Sequence, residues 1–173
     1  DCEVTVLVTQ QSEDISQGVT EGKGLYTEQG AGDQGIMFGF ASNESEAYPS
    51  LAGSYMPLPI LIAQRLTTAL SEAGKNGILE WARPDGKSQV TVAYDDHGIP
   101  QFVDTVVIAI QHDDLANERF GGNEEAEREF IHEEVKEKII RTTIPNGLIN
   151  ENMRIIVNGT GRFVIGGPHG DAG

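Results

Sequence analysis

"SQVTVAYDDHGIPQFVDTVVIAIQ", residues 88–111, holds two β patterns around one turn. From Ser88 to Asp95 apolar and polar residues alternate, as in a strand with one buried face. Asp95, Asp96, His97 and Gly98 are turn residues. "FVDTVVIAIQ" (102–111) is apolar on both faces and β-branched, so it reads as a more central strand. The two form a hairpin.

A helical pattern lies on each side of the hairpin. Upstream, Pro57 and Pro59 suit a first turn, and Leu58, Ile62, Leu66, Ala69, Leu70 and Ala73 keep one face apolar until Gly74 ends it. Downstream, Asn123 can cap a helix that begins with Glu124 and Glu125. Ala126, Phe130, Ile131, Val135 and Ile139 form its apolar stripe. Lys136, Lys138 and Arg141 stand near its C-terminal end, where they favour the helix dipole. Its acidic residues are expected on a solvated outer face.

Further out, "GIMFGFA" (35–41) reads as a short buried strand, and "MRIIV" (153–157) and "RFVI" (162–165) as short strands. Residues 35–157 therefore run β-α-β-β-α-β. That order predicts an α+β fold with helices on one face of a mixed sheet. "EVTVLVT" (3–9) alternates like another strand. Residues 10–29 are polar and aperiodic, which predicts a long loop of functional or mobile kind. Residues 1–9 and 160–173 lie outside the repeat-like unit and are expected to belong to neighbouring units.

The chain has 173 residues, 38% of them hydrophobic, so a packed core is feasible. A formal net charge of −15 disfavours nucleic-acid binding, which needs a basic footprint. No run of ~18 apolar residues marks a membrane span. Cys2 is the one cysteine, so no disulfide framework is predicted, and it is expected to be a small buried apolar residue. The first and last residues read as cut from a longer chain. Asn43 and Asn158 head glycosylation-type triplets, but nothing else suggests secretion.

Three segments carry candidate chemistry. Gly30-Ala31-Gly32-Asp33-Gln34-Gly35 matches G-x-G-x-x-G. A dinucleotide fold needs a strand before it, a helix after it and an acid about 20 residues on. A polar loop, a strand-like run, and Ser54 with Tyr55 stand there instead. Gly86-Lys87-Ser88 imitates the end of a P-loop, but the required earlier glycine is Trp81. Lys87 can still meet phosphate as a point charge. "GTGRFVIGGPHGDAG" (159–173) has six glycines around Arg162, Phe163 and Asp171. Arg162 suits phosphate, and Phe163 offers a face for a base or a core contact.

Together "DISQGV" (14–19), "GAGDQGIMFG" (30–39), "RPDGKSQVTV" (83–92) and "GTGRFVIGGPHGDAG" resemble, in order and spacing, the S-adenosylmethionine synthetase (methionine adenosyltransferase) family. That family has three similar α+β units. The resemblance assigns residues 1–27 to the end of the first unit with a gating loop, 28–157 to the middle unit and 158–173 to the start of the third. The family's "HPDK" and "GGGAFSGKD" segments, with catalytic and metal-binding residues, are absent from these residues. So is a potassium-ligand glutamate. The isolated chain is therefore expected to be inactive. The alternative is a non-catalytic remnant, or a dimerising core with weak nucleotide binding.

The resemblance implies ATP and L-methionine as substrates, with tripolyphosphate cleaved to pyrophosphate and phosphate. It implies Mg2+ and K+ as cofactors, with ligands mostly outside this segment. It gives Gln17, Asp33 and Asp171 to methionine, and Asp85 and Thr160 to the ribose. Lys87 becomes the catalytic residue on the polyphosphate, and Arg162 and Phe163 hold the adenosine. It also implies a cytoplasmic homodimer or homotetramer with shared sites, the apolar face of residues 35–41 lying at the subunit contact. His97, His112, His132 and His169 receive no role and are expected to be solvent-facing or structural.

Overall fold

The computed structural model describes residues 3–171 and, within them, all but the side chain of His169. Cys2 lies outside the described residues. Two compact units are present, Asp1–Gly39 and Phe40–Gly173.

In the first unit, helix α1 (Glu13–Val19) interrupts the segment expected to be one aperiodic loop. Glu13 and Asp14 in its first turn favour the positive end of the helix dipole. Neither 3–9 nor 35–41 forms a strand. Both expectations are corrected: alternation creates a strand only where a partner completes the ladder, and neither segment has one among the described residues. Phe38, expected to be buried, is 95% exposed.

The second unit is built on α2 (Leu58–Lys75), β1 (Ala82–Tyr94), β2 (Pro100–His112), α3 (Leu115–Glu118), α4 (Glu124–Val135), α5 (Arg141–Thr143), β3 (Arg154–Val157) and α6 (Gly167–Asp171). A wider π turn, Lys136–Ile140, joins α4 to α5. The sheet order is β1-β2-β3, with β1 antiparallel to β2 and β2 parallel to β3. The α+β class and mixed sheet thus stand as read from the sequence.

Apolar spacing explains the packing. Leu58, Leu61, Ile62, Leu66, Leu70 and Ala73 of α2 join Val103, Val106, Ile108 and Ile110 of β2 in one core. Ile131, Val135, Ile139 and Ile140, from α4 and the π turn, enter the same core. Thr91 pairs with Thr105 but Val92 with Val103, so Asp104 is one extra residue in β2. This bulge shifts the alternation and lets both Val103 and Val106 face inward.

Helix α2 does not stop at Gly74. It runs to Lys75, and Gly77 takes the left-handed conformation, φ 71°, just beyond it. At α4, Asn123 caps as expected, accepting from the N–H groups of Glu125 and Ala126 at 3.1 Å each. The expectation of a wholly solvated acidic face fails at Glu127, which is buried.

Candidate functional site

The site is organised at the start of β1 and the end of β2. A Cβ on Gly86 would meet Ile110 Cδ1 at 3.4 Å and Leu70 Cδ1 at 3.9 Å, so this position points into the core. Its neighbours Asp85 and Lys87 therefore share the outer face of β1. Lys87 is exposed and makes no ion pair among the described residues.

The chain beyond β3 is laid along the end of β2. Asn158, at φ 46°, bends it there. Its Oδ1 accepts the Ile110 N–H at 2.8 Å and its Nδ2 donates to the Ile110 carbonyl at 3.0 Å. A turn follows, closed by Gly161 N–H to the Asn158 carbonyl at 2.8 Å, with Thr160 exposed within it. The expected strand 162–165 does not form. One ladder bond remains, His112 N–H to the Phe163 carbonyl at 2.9 Å. The Phe163 N–H instead meets the His112 ring at Nε2, 3.0 Å away, so a side chain replaces the next carbonyl of the ladder. Gln111 adds a bond from Nε2 to the Val164 carbonyl at 3.0 Å.

Phe163 then approaches Asp85. A Cβ on Gly166 would meet Phe163 Cε2 at 2.5 Å and Asp85 Oδ2 at 3.1 Å, so only glycine fits between them. Asp85 Oδ2 accepts the Gly167 N–H at 2.8 Å, and Gly167 has φ 66°. Three segments distant in sequence thus converge on one surface: 85–87, 109–111 and 163–167.

Arg162 points elsewhere. Its Nε donates to Glu127 Oε2 at 3.0 Å, an Nη donates to Asp114 Oδ1, and the other Nη lies 3.7 Å from Glu124 Oε1. The bond to Glu127 holds the guanidinium above its ordinary range. Asp114 is held below its ordinary value, first by the Asn117 side-chain bond, then by the Asn117 N–H and Arg162. Glu127 also accepts the Ala116 N–H at 2.7 Å.

The remaining expected residues lie as follows. Asp171 is exposed at the end of α6. Gln17 and Asp33 belong to the first unit and are exposed. Gln17 donates from Nε2 to the Asp14 carbonyl at 3.0 Å, and Asp33 Oδ1 accepts the Gln34 N–H at 2.7 Å. Gly30 N–H donates to the Gly18 carbonyl at 3.1 Å, and a Cβ there would come within 2.4 Å of that oxygen. This first glycine of the motif thus serves a close backbone approach rather than the start of a helix.

Sequence reasoning missed His112, Asn158, Asp114 and Glu127. Two had a signal. His112 shares the parity of Ile108 and Ile110 on β2, and Glu127 precedes Ile131 by four residues on the buried stripe. Asn158, followed by glycine at the end of a strand, carried a turn signal.

The family described as "S-adenosylmethionine synthetase, central domain" matches residues 28–163. The chain belongs to this family. Over 172 residues it is 48% identical to the S-adenosylmethionine synthase of Syntrophobacter fumaroxidans (strain DSM 10017 / MPOB). Over 176 residues it is 46% identical to that of Desulfosudis oleivorans (strain DSM 6200 / JCM 39069 / Hxd3). Each alignment covers 99% of this chain and 40% of the relative, so the chain spans about two fifths of these synthetases. Among the described residues, no three His, Cys, Asp or Glu side chains gather to hold a metal ion. No helix among them is long and apolar enough to cross a membrane.

Proposed function

We propose that the chain is the central part of a methionine adenosyltransferase, which joins ATP and L-methionine into S-adenosylmethionine and cleaves the tripolyphosphate released. The observation that carries this reading is the meeting of Asp85, Phe163 and Gly167 beside Lys87 on one face of the hairpin. A nucleoside triphosphate needs a flat apolar face for its base, an acceptor for a ribose hydroxyl and a cation for its phosphates. Phe163, Asp85 and Lys87 supply these in turn. Asp85 has one oxygen on Gly167 and a second left for the ribose.

The chemistry asks for little beyond this. Methionine sulfur is the nucleophile, so the protein's task is to align it with C5′ and to stabilise charge on the leaving polyphosphate. Lys87 is the residue of this chain assigned to that charge. Thr160 offers a hydroxyl near the ribose. Gln17, Asp33 and Asp171 are assigned to methionine, the last through its ammonium group. Arg162 supports the adenosine through its backbone, because its guanidinium is engaged by acids.

Mg2+ would neutralise phosphate charge and K+ would order the site. Among the described residues no three acidic or histidine side chains gather to cage either ion. A cytoplasmic homodimer or homotetramer with sites between subunits completes the proposal. The exposed Ile36, Met37, Phe38 and Phe40 are suited to such a contact.

The test is a synthesis assay with ATP and L-methionine, run on the 173 residues alone and on the longer polypeptide encoded around them. Product from the longer protein and none from the 173 residues is expected. ATP binding without product from both would favour a non-catalytic core. Neither binding nor product from the longer protein would overturn the reading.

A further inference from the structure

His112 is among the most buried side chains of the second unit, at 2% exposure. Its ring is fully bonded. Nδ1 lies 2.7 Å from the Asp113 carbonyl, which can only accept, so Nδ1 carries the proton. Nε2 is then the bare nitrogen, and it accepts the Phe163 N–H at 3.0 Å. The backbone N–H of the same histidine donates to the Phe163 carbonyl at 2.9 Å. One residue thus holds both polar groups of the Phe163 backbone. The residue before it is held separately, because Glu127, 1% exposed, binds Arg162 Nε with one oxygen and the Ala116 N–H with the other.

We propose that His112 and Glu127 are positioning residues for nucleotide binding: His112 clamps Phe163 to the end of β2 and Glu127 clamps Arg162 to α4, so that the Phe163 ring is set before the base arrives. The proposal rests on the assignment of Phe163 to the adenine. A ring on a glycine-rich segment would otherwise lose conformational freedom on binding, and pre-ordering removes that cost. The pairing also selects one imidazole tautomer, which gives the clamp a definite chemical requirement. It needs an acceptor at the position of Nε2.

The two amide analogues of histidine separate this role from simple packing. His112→Gln can place its carbonyl oxygen where Nε2 lies, whereas His112→Asn reaches only the position of Nδ1. The longer polypeptide carrying this segment is assayed with ATP and with L-methionine. In His112→Asn the KM for ATP should rise about five- to ten-fold, the worth of one lost hydrogen bond, while the KM for methionine holds. His112→Gln should restore most of the ATP term. Glu127→Gln keeps the Ala116 bond, loses the charge facing Arg162, and should also raise the KM for ATP selectively. Equal KM values for ATP in the Asn, Gln and parent proteins would overturn the proposal, as would equal rises for both substrates.

Hydrogen exchange in the parent gives a second readout should the Asn variant fail to fold. The Phe163 amide should be protected as strongly as the amides of β2, and free exchange there would also overturn the clamp. A parent with a protected Phe163 amide but no affinity for ATP would defeat the functional reading and leave the clamp standing as architecture only.

Discussion

The carboxylate of Asp85 accepts the backbone N–H of Gly167 at 2.8 Å, across 82 positions of the chain. This bond ties the glycine-rich segment to the start of the hairpin. Asp85→Asn keeps an oxygen for Gly167 but loses the second acceptor and the charge. The expected result is about a ten-fold weaker affinity for ATP, the worth of one charge-assisted bond. Thermal unfolding should move little, since the tie survives. Isothermal titration with ATP and a melting curve on the same protein would check both halves.

Gly166 has no room for a side chain. Gly166→Ala would drive a Cβ to 2.5 Å from Phe163 Cε2, so the ring must shift. Nucleotide affinity should fall while the distant hairpin core is undisturbed. Phe163→Leu should cost about 1–3 kcal/mol in ATP binding by removing the stacking face, and Phe163→Tyr should keep most of it. Equal affinities in the Leu and Tyr variants would exclude the stacking role.

Lys87, exposed on the outer face of β1, makes no ion pair among the described residues. Lys87→Ala should leave stability within about 0.5 kcal/mol of the parent, as for most surface substitutions. The loss should appear in kcat and in binding of tripolyphosphate. Lys87→Arg should rescue charge but not geometry, and so recover binding better than turnover. Steady-state kinetics with a tripolyphosphate competition assay would show the division.

Acid should loosen the seat of Arg162. The folded-state value of Asp114 lies below its ordinary 3.8. A carboxylate lowered in this way stabilises the fold fully above the ordinary value, and the contribution is lost as pH falls through the lower folded value. Melting temperatures between pH 2 and 6 should therefore fall on the acid side. Asp114→Asn should show a shallower fall, since that proton no longer binds. Glu46, lowered chiefly by its bond from the Gly53 N–H, adds to the same acid limb.

Much of the second unit was legible because its apolar spacing is regular. Val90 and Val92, the inward residues of β2 and the Ile131, Val135, Ile139 stripe announce their elements over long windows. Residues 3–9 and 35–41 misled for the opposite reason. Short apolar runs signal burial, but whether they become strands depends on a partner. The run at 162–165 failed differently, because a histidine ring took the place of a carbonyl in the ladder.

The site divides along the same line. Lys87 and Phe163 could be named as candidates from the chain, since glycines beside a charge or an aromatic ring are a local signal, while Asp85 entered through the family resemblance. Their meeting could not, because it depends on bonds spanning 48 to 82 positions. Nor could the engagement of Arg162 by Glu127 and Asp114, since a one-dimensional pattern gives an arginine no partner. Sequence alone determined the α+β class, the hairpin and the family, all of which follow from local periodicity and contiguous motifs. Tertiary structure decided which polar groups touch. Burial leaves each donor and acceptor to find a partner in space, and here His112 at the end of β2, Glu127 on α4 and Asn158 just beyond β3 meet at the segment that carries Phe163.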